Sequence, residues 1–189
     1  MECSPRPAVI PGPCLLPLLA GVAARYPEVP VLAAGGIGDG RTFAAALIAG
    51  AEGAWLGTAF LATHEAVEVQ DVHKRLIVDS DGADTVLTKA YDIVSGLPWP
   101  ASIAERVRGN RFTDEWSGRE TELRDRRAEV VEATSADRLD GPLDPDASEV
   151  LYGQSARFVN EIRPAAEVVR TVSEEAEGIL RSRPQVLLG

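Results

Sequence analysis

Cysteine is scarce in this chain of 189 residues. Cys3 and Cys14 lie in the proline-rich beginning, and neither stands at a metal-ligand spacing. A disulfide framework and a zinc-type centre are therefore not expected to organise the fold, and no metal is assigned. Long apolar runs are missing too. No stretch reaches the ~18 residues of a membrane-spanning helix, and no charged-then-apolar signal pattern is found, so a cytoplasmic location is the default expectation. Positive charge is also short: 19 basic residues stand against 29 acidic ones, a formal charge of −10. Nucleic acid and anionic membrane, which both need a positive footprint, are argued against as partners. An anion could still be held locally by backbone dipoles. What the chain does have is an ordinary 45% of hydrophobic residues, enough for one real core.

Residues 1–14 carry Pro5, Pro7, Pro11 and Pro13, a density that excludes helix or central strand. Leu15–Tyr26 has helical apolar spacing, closed by Pro27. Val29–Ala34 is a short apolar run without polar alternation, as in a parallel strand covered on both faces. Asp39 can cap a helix over Arg41–Ala49, with Gly50 at its end. Gly53–Leu56 reads as a second buried strand, Thr58–Leu61 as an extra helical turn, and Thr63 as the cap of a helix through Val78. Residues 15–79 thus form one series of βα units. Residues 80–189 read as a mostly helical segment packing on it: Asp84–Tyr91 extended, Ala101–Asn110 and Glu115–Thr134 helical, Ser135–Pro145 a polar break, and Pro164–Arg181 an amphipathic helix.

The chemistry concentrates in Val31–Thr58. The first strand ends in Gly35-Gly36-Ile37-Gly38-Asp39-Gly40 and the second in Gly57-Thr58. One loop, a helix of about three turns and a short strand fill the interval, and a right-handed crossover makes the two strands parallel. Adjacent strands would bring both glycine loops to the same sheet end, roughly 5 Å apart. Bare N–H groups of both loops could then converge on one phosphate. Thr58 adds a hydroxyl, and a side chain at Gly35, Gly36 or Gly57 would block close approach. Other phosphate motifs fit less well. Gly36-x-Gly38 is followed by Arg41, where a dinucleotide fingerprint needs glycine. Gly35 to Gly40 followed by Thr42 has P-loop spacing, but Arg41 replaces the lysine, and the next strand offers no acidic residue for magnesium.

Pro30-Val31-Leu32-Ala33-Ala34-Gly35-Gly36-Ile37-Gly38-Asp39-Gly40-Arg41, followed by Gly57-Thr58-Ala59-Phe60-Leu61-Ala62-Thr63, resembles the nitronate monooxygenase (2-nitropropane dioxygenase-like) flavoproteins. Val86-Leu87-Thr88-Lys89-Ala90-Tyr91 and Arg108-Gly109-Asn110-Arg111-Phe112-Thr113 are similar to the segment after that family's barrel. Gly153-Gln154 and Glu161-Ile162-Arg163-Pro164-Ala165-Ala166-Glu167 are similar to its closing blocks. The resemblance runs from Leu15 to the end. It implies the α/β class, here a partial (β/α)8 TIM barrel of last strands and phosphate-binding loops followed by a mostly helical carboxyl-terminal segment. It also implies FMN as cofactor and the oxidation of alkyl nitronates by molecular oxygen to carbonyl compound and nitrite. The backbones of Ala34, Gly35, Gly36, Trp55, Leu56, Gly57 and Thr58 would hold the FMN phosphate, with Gln154 near the flavin.

A barrel of this kind takes about 250 residues. The family's amino-terminal strands, and a segment whose histidine lies in the active site, would precede Leu15. The chain alone is therefore expected to be truncated and weakly active or inactive. Its partners are expected to be a nitronate-like small molecule and either a further copy of itself or the missing amino-terminal half. His64 and His73, on the helix expected after the last barrel strand, read as helix-face residues, and no catalytic residue is assigned. Cys14 has no ordered base beside it. Trp99 and Trp116 read as packing residues, and Asp79, Asp81 and Asp84 lack the rest of a calcium loop. Two alternatives stay open: an FMN-dependent enoyl-acyl carrier protein reductase-like enzyme, and a non-catalytic fragment or subunit binding a phosphate-bearing ligand.

Overall fold

The computed structural model describes residues 14–100, 102–134 and 142–189. The expected irregular stretch before Cys14 and most of the polar break at Ser135–Pro145 lie outside the described residues. Those that are described fall into two units, residues 14–83 with 152–189 and residues 84–151. The class is α/β.

The first unit opens with α1 (Leu15–Arg25), whose last carbonyls precede Pro27. Strand β1 (Leu32–Ala34) follows, then α2 (Gly40–Ile48), then β2 (Gly53–Trp55). The strands pair in parallel, with Leu32 opposite Gly53, Ala33 opposite Ala54 and Ala34 opposite Trp55. Period-two alternation sends Ala33 into a core with Leu19, Ile37, Ala46 and Ala51, while Leu32, Ala34 and Trp55 are exposed. Asp39 caps α2 as expected: its carboxylate accepts the N–H of Thr42 at 2.8 Å, and the Thr42 hydroxyl accepts the N–H of Asp39 in return. Gly50 ends the turn after α2 at φ +106°, where glycine is favoured.

Helix α3 (Thr58–Leu61) is the expected single turn. The helix expected from Thr63 starts later, as α4 (Asp71–Val78). Thr63 instead turns its hydroxyl back to the Phe60 carbonyl and bridges in parallel to Arg163, so its backbone serves a tertiary pairing rather than a cap. His64 therefore lies outside any helix, exposed, and only His73 is on α4. A 3-10 turn (Gln154–Phe158) leads to the long α9 (Ala165–Leu188). Val168, Val172 and Ala176 form its buried stripe at helical spacing. α9 packs closely on α2: a Cβ on Gly40 would lie 2.6 Å from the Ala176 nitrogen, so only glycine admits this approach.

The second unit holds β3 (Thr85–Thr88), α5 (Ala90–Ser95), β4 (Glu105–Arg108), α6 (Arg111–Trp116), α7 (Glu120–Asp125) and α8 (Arg127–Thr134). β3 pairs antiparallel with β4, Val86 opposite Val107. This overturns the helix expected across Ala101–Asn110. Charged residues around Val107 resemble a solvated helix face, yet pairing with β3 and full burial of Val107 decide the conformation. The helix expected over Glu115–Thr134 is broken into three, at Gly118 (φ +86°) and at Arg126. Tyr91 and Phe112 stack at 4.7 Å in a core that includes Val107, Trp116, Leu123 and Val130. None of the helices among the described residues is long and apolar enough to cross a membrane.

Candidate functional site

The site grows from the parallel register of the first unit. With Ala34 opposite Trp55, the chain leaves both strands at the same end. The two loops that follow, Gly35-Gly36 and Gly57-Thr58, are therefore neighbours. Gly35 (φ +102°) and Gly36 (φ +72°) both occupy the left-handed region, which a side chain at either position would resist. Gly57 has an ordinary φ of −90°, so no backbone requirement explains it. A Cβ at Gly35, Gly36 or Gly57 would meet nothing within 4 Å. The space above all three is open, and their N–H groups carry no hydrogen bond among the described residues.

The amides at the start of α2 are in a different state. The N–H of Thr42 goes to the Asp39 carboxylate, and the N–H of Gly40 goes to the Glu175 carboxylate of α9 at 3.1 Å. The helix terminus is thus neutralised by acidic side chains, while the preceding glycine pair is bare. An anion at this end of the sheet meets the loop rather than the helix.

Thr58 is buried, and its hydroxyl oxygen accepts the N–H of Gly153 at 2.9 Å. That bond fixes the 3-10 turn beside the second glycine loop, while the hydroxyl hydrogen stays available for donation. The turn also packs on the first loop: a Cβ on Gly38 would lie 2.9 Å from the Ser155 carbonyl oxygen and 3.1 Å from the Phe158 ring. Gly82, at φ +78°, meets the Gln154 backbone in the same way and brings the loop after α4 alongside. Together these segments form a cavity of about 320 Å³ that is open to solvent, lined by Gly36, Gly82, Ala83, Gln154, Arg157 and Phe158 among others.

Of the residues expected from the sequence, Gly36 and Gln154 line this cavity. Gly35, Gly57 and Thr58 stand on the two loops beside it. Ala34, Trp55 and Leu56 supply the strand ends and are not in the lining; the Trp55 side chain is 71% exposed. His64 and His73 are not in the lining either. Arg157, Phe158 and Gly82 were not picked out by sequence reasoning. The 3-10 turn, which puts Arg157 over the same face as Gln154, is seen only in the structure, and no local sequence signal marks it.

Several known proteins are similar to this chain. The model of the nitronate monooxygenase family matches residues 13–175. Nitronate monooxygenase npaC of Metarhizium robertsii is 35% identical over 163 residues, covering 85% of this chain and 45% of that protein. The solved structure of FabK from Thermotoga maritima is similar with a TM-score of 0.74 at 28% identity, over 94% of this chain and 53% of that one. The nitroalkane oxidase of Streptomyces ansochromogenes is similar with a TM-score of 0.63 at 31% identity, over 89% of this chain and 45% of that one. The chain thus spans about half the length of the relatives it matches.

Proposed function

Because the chain belongs to the nitronate monooxygenase family, we propose that it is a flavin-dependent oxidoreductase whose paired glycine loops hold the phosphate of FMN. β1, α2, β2 and α3 are then the phosphate-binding part of a (β/α)8 barrel, where such a site follows the last strands. The observation that carries this is the parallel register of Ala34 with Trp55, which sets Gly35-Gly36 beside Gly57-Thr58. The residues present fit the group. Bare N–H groups under open space suit a phosphate that needs many donors and close backbone approach.

In this reading Gly35, Gly36 and Gly57 donate backbone N–H groups, and Thr58 donates its hydroxyl. Gln154 presents its amide from the cavity wall. Bound FMN would supply the redox chemistry, the oxidation of an alkyl nitronate with molecular oxygen to carbonyl compound and nitrite. The chain's own residues anchor and orient; no proton-transfer group is assigned among them. By itself the chain is proposed to release nitrite slowly or not at all.

The test is an FMN titration followed by flavin fluorescence, with inorganic phosphate as competitor, then a nitrite assay with propyl-2-nitronate. Saturable binding relieved by phosphate is expected. A folded chain that ignores FMN overturns the proposal. A second reading, an FMN-dependent enoyl-acyl carrier protein reductase-like enzyme, is favoured by the higher TM-score with FabK than with the nitroalkane oxidase. Anaerobic flavin reduction by NAD(P)H, without nitrite release, would select it.

A further inference from the structure

We infer that Arg157 is a phosphate-anchoring residue: its guanidinium supplies the cationic contact to a phosphate monoester held at the Gly36 loop. This rests on the phosphate-site reading above and adds to it a side chain outside both glycine loops.

Three observations converge. First, Gln154–Phe158 is a 3-10 turn, in which residues three apart lie over one another. Ser155 and Ala156 are buried, while Gln154 and Arg157 are exposed and line the same cavity as Gly36. Second, that turn is held tightly in place. Gly153 donates to Thr58 at 2.9 Å, and Gly38 lacks a side chain where Ser155 and Phe158 press on the loop. The arginine is therefore carried on a segment locked to both glycine loops. Third, its charge is unsatisfied by protein. Among the described residues Arg157 makes no ion pair within 4.0 Å, and its guanidinium carbon stands 5.9 Å from the Phe158 ring centroid.

The acidic groups nearby are otherwise engaged. Asp81, in the same lining, accepts the N–H of Ala83 at 2.8 Å. Arg157 also lines a second cavity of about 290 Å³ with Asp39 and Glu175, whose carboxylates hold the N–H groups of Thr42 and Gly40. In a chain of net charge −10, backbone donors alone leave a dianion facing a negative field. A guanidinium offers the fork that matches phosphate oxygens.

The experiment compares wild type, Arg157→Gln and Arg157→Lys by titration calorimetry with FMN, riboflavin and inorganic phosphate, with circular dichroism to check folding. Arg157→Gln is expected to weaken FMN and inorganic phosphate roughly 10- to 100-fold, the usual size of a lost charge-assisted contact. Riboflavin, which has no phosphate, should be unaffected, and Arg157→Lys should fall between. Wild-type binding of FMN that Arg157→Gln leaves unchanged overturns the inference while the FMN reading stands. Arg157-dependent binding of inorganic phosphate without FMN binding supports the anchor and overturns the FMN reading. A wild type that binds neither overturns both. Equal weakening of riboflavin and FMN overturns the anchor in favour of a structural role.

Discussion

The Thr58 hydroxyl accepts the Gly153 N–H at 2.9 Å across 95 residues of sequence. This bond connects the loop after β2 to the turn that carries Gln154, so two segments remote in sequence share one site. Thr58→Val keeps the shape and removes the acceptor, leaving the Gly153 N–H without it. The expected cost is about 1–3 kcal/mol in urea unfolding. FMN affinity should fall as well, since the same hydroxyl is proposed to donate to the phosphate. Unchanged stability and unchanged affinity would show that the bond does not join the two segments.

Glycines of the site separate fold from function. Gly36→Ala forces a left-handed φ on a side chain, at a cost of about 1–2 kcal/mol. Gly57→Ala does not: its φ is −90° and the space around it is open, so stability should move by no more than about 0.5 kcal/mol. Both substitutions put a methyl group where the phosphate is proposed to approach, so both should weaken FMN binding. Gly57→Ala is the sharper test because its fold is intact. Full FMN affinity in a folded Gly57→Ala variant would remove the second loop from the site.

Much of this unit was legible in the sequence. The unalternated apolar run into β1, the Asp39 cap and the interval to Gly57 follow from local rules, and the parallel register agrees with them. Leu32 and Trp55 are nevertheless exposed, because period two sends only Ala33 of β1 into the core. Elsewhere tertiary pairing overrode local pattern. Glu105-Arg106-Val107-Arg108 looks like a charged helix face, and only β3 alongside makes it a strand. Thr63 looks like a cap, and only Arg163 makes it a bridge. Arg157 was hidden for the same reason: its place beside Gly36 depends on how Gly38 packs, not on any motif.

Asn110 is expected to be a point of failure in the second unit. Its side-chain oxygen accepts the Thr113 N–H at 3.0 Å and caps α6, while its amide nitrogen donates to the Tyr91 hydroxyl at 2.9 Å and the Ser148 carbonyl at 3.0 Å. All three of Tyr91, Asn110 and Thr113 are buried. Asn110→Ala removes a cap, worth about 1–2 kcal/mol, and leaves buried groups without that partner. A total of about 2–4 kcal/mol is expected from chemical unfolding. A loss below about 1 kcal/mol would mean that the Ser148 segment does not depend on this amide.

Glu105 gives the second unit a pH dependence of unusual sign. Burial first, then its hydrogen bond and charge repulsion with Glu149, and also the charge of Asp92, push its carboxyl up from 4.5 to about 9. Burial raises Asp92 as well, against the pull of Lys89. One Glu105 oxygen is buried without a hydrogen-bond partner among the described residues, so ionising this group would strand charge in a poor environment. A carboxyl that is raised on folding binds its proton more tightly in the folded chain. Its stabilising contribution is complete below about pH 4.5 and is lost as the pH rises through about 9. Glu105→Gln keeps the shape and hydrogen-bonding capacity but cannot ionise. Urea unfolding at pH 5, 7 and 9 is expected to show wild type losing stability with rising pH and the variant losing less. The variant should therefore be the more stable of the two at pH 9, and parallel profiles would show that Glu105 ionises without cost where it sits.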